Sequence, residues 1–381
     1  MLVEGMSTSR SPNRSLHPER ISLARMRCGL NKVELSELLG VSARTITTFE
    51  SDGAGLEWAP RLASVTKFPT PYFTRGSAPE IPLHRVNFRA GRGTTSRQKH
   101  AAIAAGVSGI EADLLISGRY TLPSLDVPDG TGEPPELMAR LLREAWGLGT
   151  KPLPNLVQLS ESKGIRVYGL PPLAESVDAY STWSDAVPYI FLARRKTPER
   201  TRFDVAHELG HLVLHGGSAY CESREAEKEA NAFAGEFLMP RSSMFEYLPR
   251  NPGVAQLLEV KTAFKVSAIA LAYRAHKVGM MSDWTYRHTM THLGGRGFRE
   301  GEPDGMRHHE GSRVFPQVFA STKRNRLGVE DIARELALPE GDVHALTFNS
   351  EMHLVKDPEP TVHSTVDRPV PQQRKRHLRA V

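Results

Sequence analysis

The stretch FDVAHELGHLVLH, residues 203–215, decides how this chain is read. It holds His207, Glu208 and His211 in the order H-E-x-x-H. Four residues advance an α-helix by about 400°, so the two imidazoles lie about 40° apart and one turn along, where both can bind one tetrahedral Zn2+. Glu208, about 100° round the helix, is placed to act as general base toward a water at the ion instead of ligating it. Val205, Ala206, Leu209, Leu212 and Val213 fall on the far side of the wheel. The pattern predicts an amphipathic helix that buries this stripe and presents the histidines opposite it.

A catalytic zinc takes a third protein ligand and keeps one position open, and the next helical stretch, CESREAEKEANAFAGEFLMP at 221–240, supplies the candidates. On the wheel Glu225, Glu229 and Glu236 gather on the side away from Ala226, Ala230, Phe233, Ala234, Phe237 and Leu238, which places them toward water. Glu227 alone sits at the edge of the apolar face, where an ion would satisfy its carboxylate. Asn231, one turn later, can hydrogen-bond a ligating imidazole from behind. His215 continues the histidine row, but a third ligand on the same helix would crowd the open position, so it reads as a cap or a partner behind the ligands. Tyr180 and Tyr189 could polarise a carbonyl, yet they read first as packing residues.

The run TRFDVAHELGHLVLH (201–215) through EKEANAFAGEFLMP (227–240) resembles the ImmA/IrrE family of metallopeptidases. The similarity extends through LLREAWGLGTKPLPNLVQLSESKGIRVYGL (141–170), VDAYSTW (177–183) and VSAIALAYRAHKVGMMSDWTYR (266–287). It implies a zincin-like core with His207, His211 and Glu227 as ligands, Glu208 as catalytic base, Asn231 behind them, and one Zn2+ per chain; the donor types also admit other divalent ions. It also implies a cytoplasmic endopeptidase or antirepressor directed at a helix-turn-helix repressor. Finally, it implies a strand near 188–193 that borders the cleft and accepts an extended substrate by strand addition.

A second constellation lies at 21–53, ISLARMRCGLNKVELSELLGVSARTITTFESDG. Asn31 caps a helix over Lys32–Leu39, Gly40 ends it, and Ser42 caps another that runs to about Glu50. Leu35, Leu38, Leu39, Val41, Ile46 and Phe49 are expected to pack the pair. Lys32, Ser42, Arg44, Thr45, Thr47 and Thr48 are left to face a DNA groove or its phosphates. Over 18–73 the pattern resembles the Cro/C1-type (XRE) helix-turn-helix, which implies DNA as a partner and allows a homodimer. The same fold can also serve dimerisation or partner docking.

Charge agrees with a polyanion at this end: residues 1–100 carry 15 Lys and Arg against 8 Asp and Glu, the whole of the chain's +6 excess. Cys28 and Cys221 offer no CxxC spacing, so a disulfide scaffold and a cysteine metal site are disfavoured. No signal-peptide core or spanning segment is read, which leaves a cytoplasmic protein without a membrane partner as the expectation. The expected fold class is α+β. A flexible arm occupies 1–17, the helix-turn-helix domain 18–73, and a linker with a helix over 100–117 fills 74–135. The peptidase domain covers 136–250, with strands at 165–170, 179–183 and 188–193. A helical C-terminal region covers 251–349, including a helix-loop-helix at 329–346, and a basic disordered tail covers 350–381. The joint reading is a DNA-binding regulator that cleaves a protein, with a regulator or toxin-antitoxin or phage-immunity component that binds without cleaving as the alternative.

Overall fold

A computed structural model describes residues 15–82, 86–90, 94–216, 223–298, 301–321 and 327–350. The arm and the tail fall outside these residues except at their inner ends, and there the expectation is corrected. Ser15–Leu16 form β1, Leu16 is fully buried, and Ser350 is buried as well. The backbone amide of His17 donates to Phe73 O at 2.7 Å, which fixes the first described residues against the end of the helical unit.

The N-terminal unit contains α1 (Pro18–Arg27), α2 (Lys32–Leu39), α3 (Ala43–Asp52), β2 (Ala54–Gly55) and α4 (Ala59–Thr66), with β1 and β2 antiparallel. Asn31 and Glu34 close a reciprocal cap: the Asn31 side chain accepts from the Glu34 amide and the Glu34 side chain from the Asn31 amide, both at 2.8 Å. Gly40 ends α2 at φ 68°, and Ser42 caps α3. Leu35, Leu39, Ile46 and Phe49 are buried as expected, whereas Leu38 is 58% exposed. The i, i+4 pair Leu35 and Leu39 fills the face that α2 turns to its neighbours, which leaves Leu38 outside it.

Residues 74–135 hold more than a linker. Asn87–Ala90 form β3, and α5 (Ser96–Ser117) begins four residues before the expected start, where Thr95 and Gln98 make a second reciprocal cap. Among the described residues α5 is the one helix long and apolar enough to cross a membrane, yet most of it is buried inside the fold. The chain continues through α6 (Pro135–Ala145), α7 (Leu156–Ser162), β4 (Arg166–Gly169), β5 (Val177–Ser184), β6 (Val187–Leu192), α8 (Pro198–Leu214) and α9 (Arg224–Leu238). It ends with α10 (Arg241–Tyr247), α11 (Val254–Phe264), α12 (Ala268–Lys277), α13 (Asp283–Gly295), α14 (Val314–Phe319), α15 (Val329–Leu336) and α16 (Glu340–Leu346). The fold is mostly helical with small sheets, which agrees with α+β at that level.

The main sheet has four strands in the order β3-β5-β6-β4, with β4 parallel to β6 and the other pairs antiparallel. Helix α5 covers one face. Tyr180 donates to Ala102 O at 3.0 Å, and a Cβ at Gly106 would stand 1.8 Å from the Tyr180 hydroxyl, so glycine there permits the close approach. Helix α8 covers the other face. Covered on both sides, β5 and β6 are buried along most of their length.

Buried ion pairs join the N-terminal unit to this centre. Arg20 on α1 binds Glu111 on α5 in bidentate fashion at 2.7 and 2.9 Å, and Arg27 pairs with Asp342 on α16. The stretch expected as one C-terminal region packs in two places: Arg274 of α12 meets Glu236 on α9, while Phe315 of α14 packs on Tyr168 of β4. Removing one partner of a buried pair strands the other charge, at about 3–5 kcal/mol, whereas exposed pairs contribute about 1 kcal/mol or less. Glu111→Ala is accordingly expected to lower the denaturant midpoint by an amount of that larger order. Arg97→Ala, which removes the exposed pair with Glu34, is expected to change it little.

Candidate metal centre

The H-E-x-x-H helix differs from the expected amphipathic one: α8 is buried on nearly every side, with His207 and Glu208 at 0% and His211 at 3% exposure. The apolar stripe faces the core as predicted, and α9 and β5 cover the polar side. Gly210 makes this possible, because a Cβ there would meet the Ala230 backbone at 3.3 Å and Phe233 at 3.0 Å. Glycine inside the motif thus lets α9 lie directly against α8 and carries Glu227 to the histidines.

The donor atoms converge. His207 Nε2 and His211 Nε2 are 3.1 Å apart, His211 Nε2 is 3.2 Å from Glu227 Oε1, and His207 Nε2 is 3.4 Å from Glu227 Oε2. Ligands about 2.0–2.1 Å from a tetrahedral Zn2+ lie about 3.3–3.4 Å from one another, so these three residues fit such an ion with little movement. Among the described residues this is the group of three His and Glu side chains with metal-binding spacing. Burial works to raise the Glu227 carboxyl, but hydrogen bonds and charge from His207 and His211 outweigh it and hold it well below the usual carboxylate range.

Partners behind the rings set which nitrogen faces the cluster. Asn231 Oδ1 lies 3.2 Å from His207 Nδ1 and accepts its proton, while Asn231 Nδ2 is anchored on Glu227 O at 2.6 Å. His215 Nε2 lies 2.8 Å from Glu229 Oε2, and its Nδ1 lies 3.1 Å from His211 Nδ1. Burial lowers the pKa of His215, which favours the neutral ring. Neutral His215 donates to Glu229 and accepts from His211, so the Nε2 lone pair of His211 turns to the cluster. Ser181 of β5 donates to Glu208 Oε2 at 2.7 Å and fixes that carboxylate.

Of the carboxylates assigned to water, Glu225 is exposed, but Glu229 is half-buried in the pairing just described and Glu236 is 1% exposed. Both assignments are corrected. The C-terminal half of α9 runs beneath α6 and α12, whose Arg140 and Arg274 meet Glu236. The expected substrate-accepting strand is corrected too: β6 lies inside the sheet, paired with β5 on one side and β4 on the other, and β5 is the second inner strand, with β3 beside Val177–Ser181. Tyr180 and Tyr189 are packing residues, their hydroxyls held by Ala102 O and Asp113.

The expected DNA-facing residues sit apart from this centre, on α2 and α3. Ser42, Arg44, Thr47 and Thr48 are exposed and Thr45 is half-exposed, with the Ser42 and Thr45 hydroxyls 2.9 Å apart at the cap. Lys32 lies 3.3 Å from Glu50. Ser181 and the Glu229–His215 partnership were missed in the sequence. The alternation of AYSTW carried a signal, since Tyr180 toward α5 turns Ser181 toward α8.

Residues 160–276, less than a third of the chain, match the family model of the IrrE N-terminal-like domain, Peptidase_M78. The match spans α8 and α9, supports the ImmA/IrrE resemblance over that part, and suggests a metallopeptidase of a typically metal-dependent kind. No curated protein matches the chain. Two variants probe the centre. Glu227→Ala is expected to strip most bound divalent ion, read by mass spectrometry of the purified protein. Asn231→Ala is expected to weaken ion affinity by about 10–100-fold in chelator competition.

Proposed function

We propose that this chain is a zinc-dependent endopeptidase that binds DNA through its N-terminal helices and hydrolyses a peptide bond in a protein, a helix-turn-helix repressor being the target suggested by the family resemblance. The observation that supports it most is the convergence of His207, His211 and Glu227 donors beside a buried carboxylate, Glu208, that lies outside that donor group and is oriented by Ser181. His207, His211 and Glu227 would hold Zn2+, which supplies Lewis acidity toward the scissile carbonyl and toward water. Glu208 takes a proton from the attacking water at its carboxylate and returns it to the amine nitrogen as the C–N bond breaks. Burial of Glu208 excludes bulk water from that transfer and keeps the carboxylate in one orientation.

Binding or sensing without cleavage, as in a regulator or a toxin-antitoxin or phage-immunity component, remains the second reading. It has no use for a carboxylate held at this position, which is why hydrolysis is preferred. For DNA, exposure of Arg44, Thr47 and Thr48 on α3 and the basic excess of residues 1–100 support the interface.

Co-expression with helix-turn-helix repressors encoded beside it tests the cleavage reading. The wild-type chain is expected to yield a shortened repressor, and Glu208→Gln to retain its ion while product falls by at least about 100-fold. Equal product from the variant rejects Glu208 as the base. An electrophoretic shift of promoter DNA, weakened by Arg44→Ala and by added salt, is expected for the N-terminal unit. A shift unchanged by Arg44→Ala rejects that face.

A further inference from the structure

A groove of about 900 Å3 runs beside the metal centre between α8 and α9 on one side and α12 and α13 on the other. Asn231 lines it and also holds His207, so the groove is continuous with the ligand shell. Its apolar surface comes from Phe203, Ile269, Tyr273, Tyr286 and Met290. Tyr273 is 49% exposed there, its ring edge-on to Tyr286 and beneath Lys277 Nζ at 5.6 Å. Methionine and tyrosine together make an adaptable apolar surface with little entropy to lose on binding.

The walls decide the shape of what fits. Among the described residues they are built from helices α6, α8, α9, α12 and α13, their ends and Lys196 just before α8, and no strand residue lines the groove. A bound segment finds no row of backbone donors and acceptors and must satisfy its own amides, as an α-helix does and an extended chain does not. The two inner strands of the sheet offer no such row over most of their length, since β6 is paired on both sides and β5 is paired with β3 up to Ser181.

The charges decide which helix. Arg200, Lys228 and Lys277 are the exposed charged residues of the lining. Lys228 has a surface partner in Glu225, a type of pair that contributes little and exchanges readily. The carboxylates of the lining are withdrawn: Glu199 and Asp204 are buried, with Glu199 accepting from the Met306 amide at 2.5 Å, and Glu136 is half-buried. We infer that this groove seats an amphipathic helix with acidic flanks, belonging to the protein whose adjoining chain enters the metal centre. The link to that chain rests on the peptidase reading; the helix site itself does not.

Fluorescence anisotropy with the full-length Glu208→Gln chain separates the two. The probe is a fluorescein-labelled peptide of about 18 residues with leucines at helical spacing and glutamates elsewhere. Its comparators are a scrambled peptide of the same composition and one with Lys in place of Glu. The acidic helix is expected to bind at least about tenfold more tightly than either comparator, and Tyr273→Ser and Lys277→Glu to weaken it by about tenfold each. Both positions are exposed, so circular dichroism is expected to be unchanged. Equal binding of the scrambled or basic peptide, no binding, or indifference to Lys277→Glu overturns the inference. So does a Tyr273-dependent dimer in sedimentation, which would mean that a second copy fills the groove. Failure to cleave any repressor, with this binding intact, would count against the peptidase reading alone.

Discussion

Two helices that touch at Gly210 bring two imidazole nitrogens and the two oxygens of one carboxylate into contacts of 3.1–3.4 Å, and the rest of the centre serves that contact. A Cβ at Gly210 would crowd the Ala230 backbone and the Phe233 side chain of α9, the helix that carries Glu227. A buried carboxylate, Glu208, and the buried imidazoles of His207, His211 and His215 are costly unless their polar atoms are satisfied. Here Glu227 is held by His207 and His211, Glu208 by Ser181, and His215 by Glu229. The same burial that makes the cluster expensive leaves its donors with few alternatives to a shared cation.

The frame around the centre is rigid for identifiable reasons. Helix α5 runs between the N-terminal unit and the sheet, and it bears acidic residues toward both. Glu111 binds Arg20 and Arg75, while Asp113 accepts from Tyr168 and Tyr189 and faces Arg166. Burial raises the Asp113 carboxyl, and these donors oppose that effect. The strand pair that presents Ser181 to Glu208 is thus braced from the opposite face by the helix to which α1 is clamped. The N-terminal helices and the His207–His211–Glu227 cluster are parts of one packed body, with buried apolar residues continuous from Leu16 to Phe348.

Local signals were legible in the sequence and long-range ones were not. The caps at Asn31, Gly40 and Ser42, the spacing of His207 and His211, and the position of Glu227 all follow from helical periodicity and side-chain chemistry within a few residues. Glu236 could not be placed in that way, because Arg274 and Arg140 come from other helices and turn its exposed wheel position into a buried one. Strand β3 sits in a Gly- and Arg-rich stretch with no alternation, and only its pairing with β5 makes it a strand. Burial of the histidine face escaped notice for the same reason, since a helix wheel shows which side is polar but not what lies against it. The family match reaches α8 and α9 and leaves the N-terminal helices to be judged on their own residues.

X-ray absorption at the zinc edge, on protein purified without chelator or added metal, tests the central claim most directly. A site of two histidines and one glutamate gives an inner shell of nitrogen and oxygen at about 2.0–2.1 Å, with multiple scattering from two imidazoles and no sulfur near about 2.3 Å. A sulfur shell, scattering from fewer than two imidazoles, or protein without a bound divalent ion would contradict it.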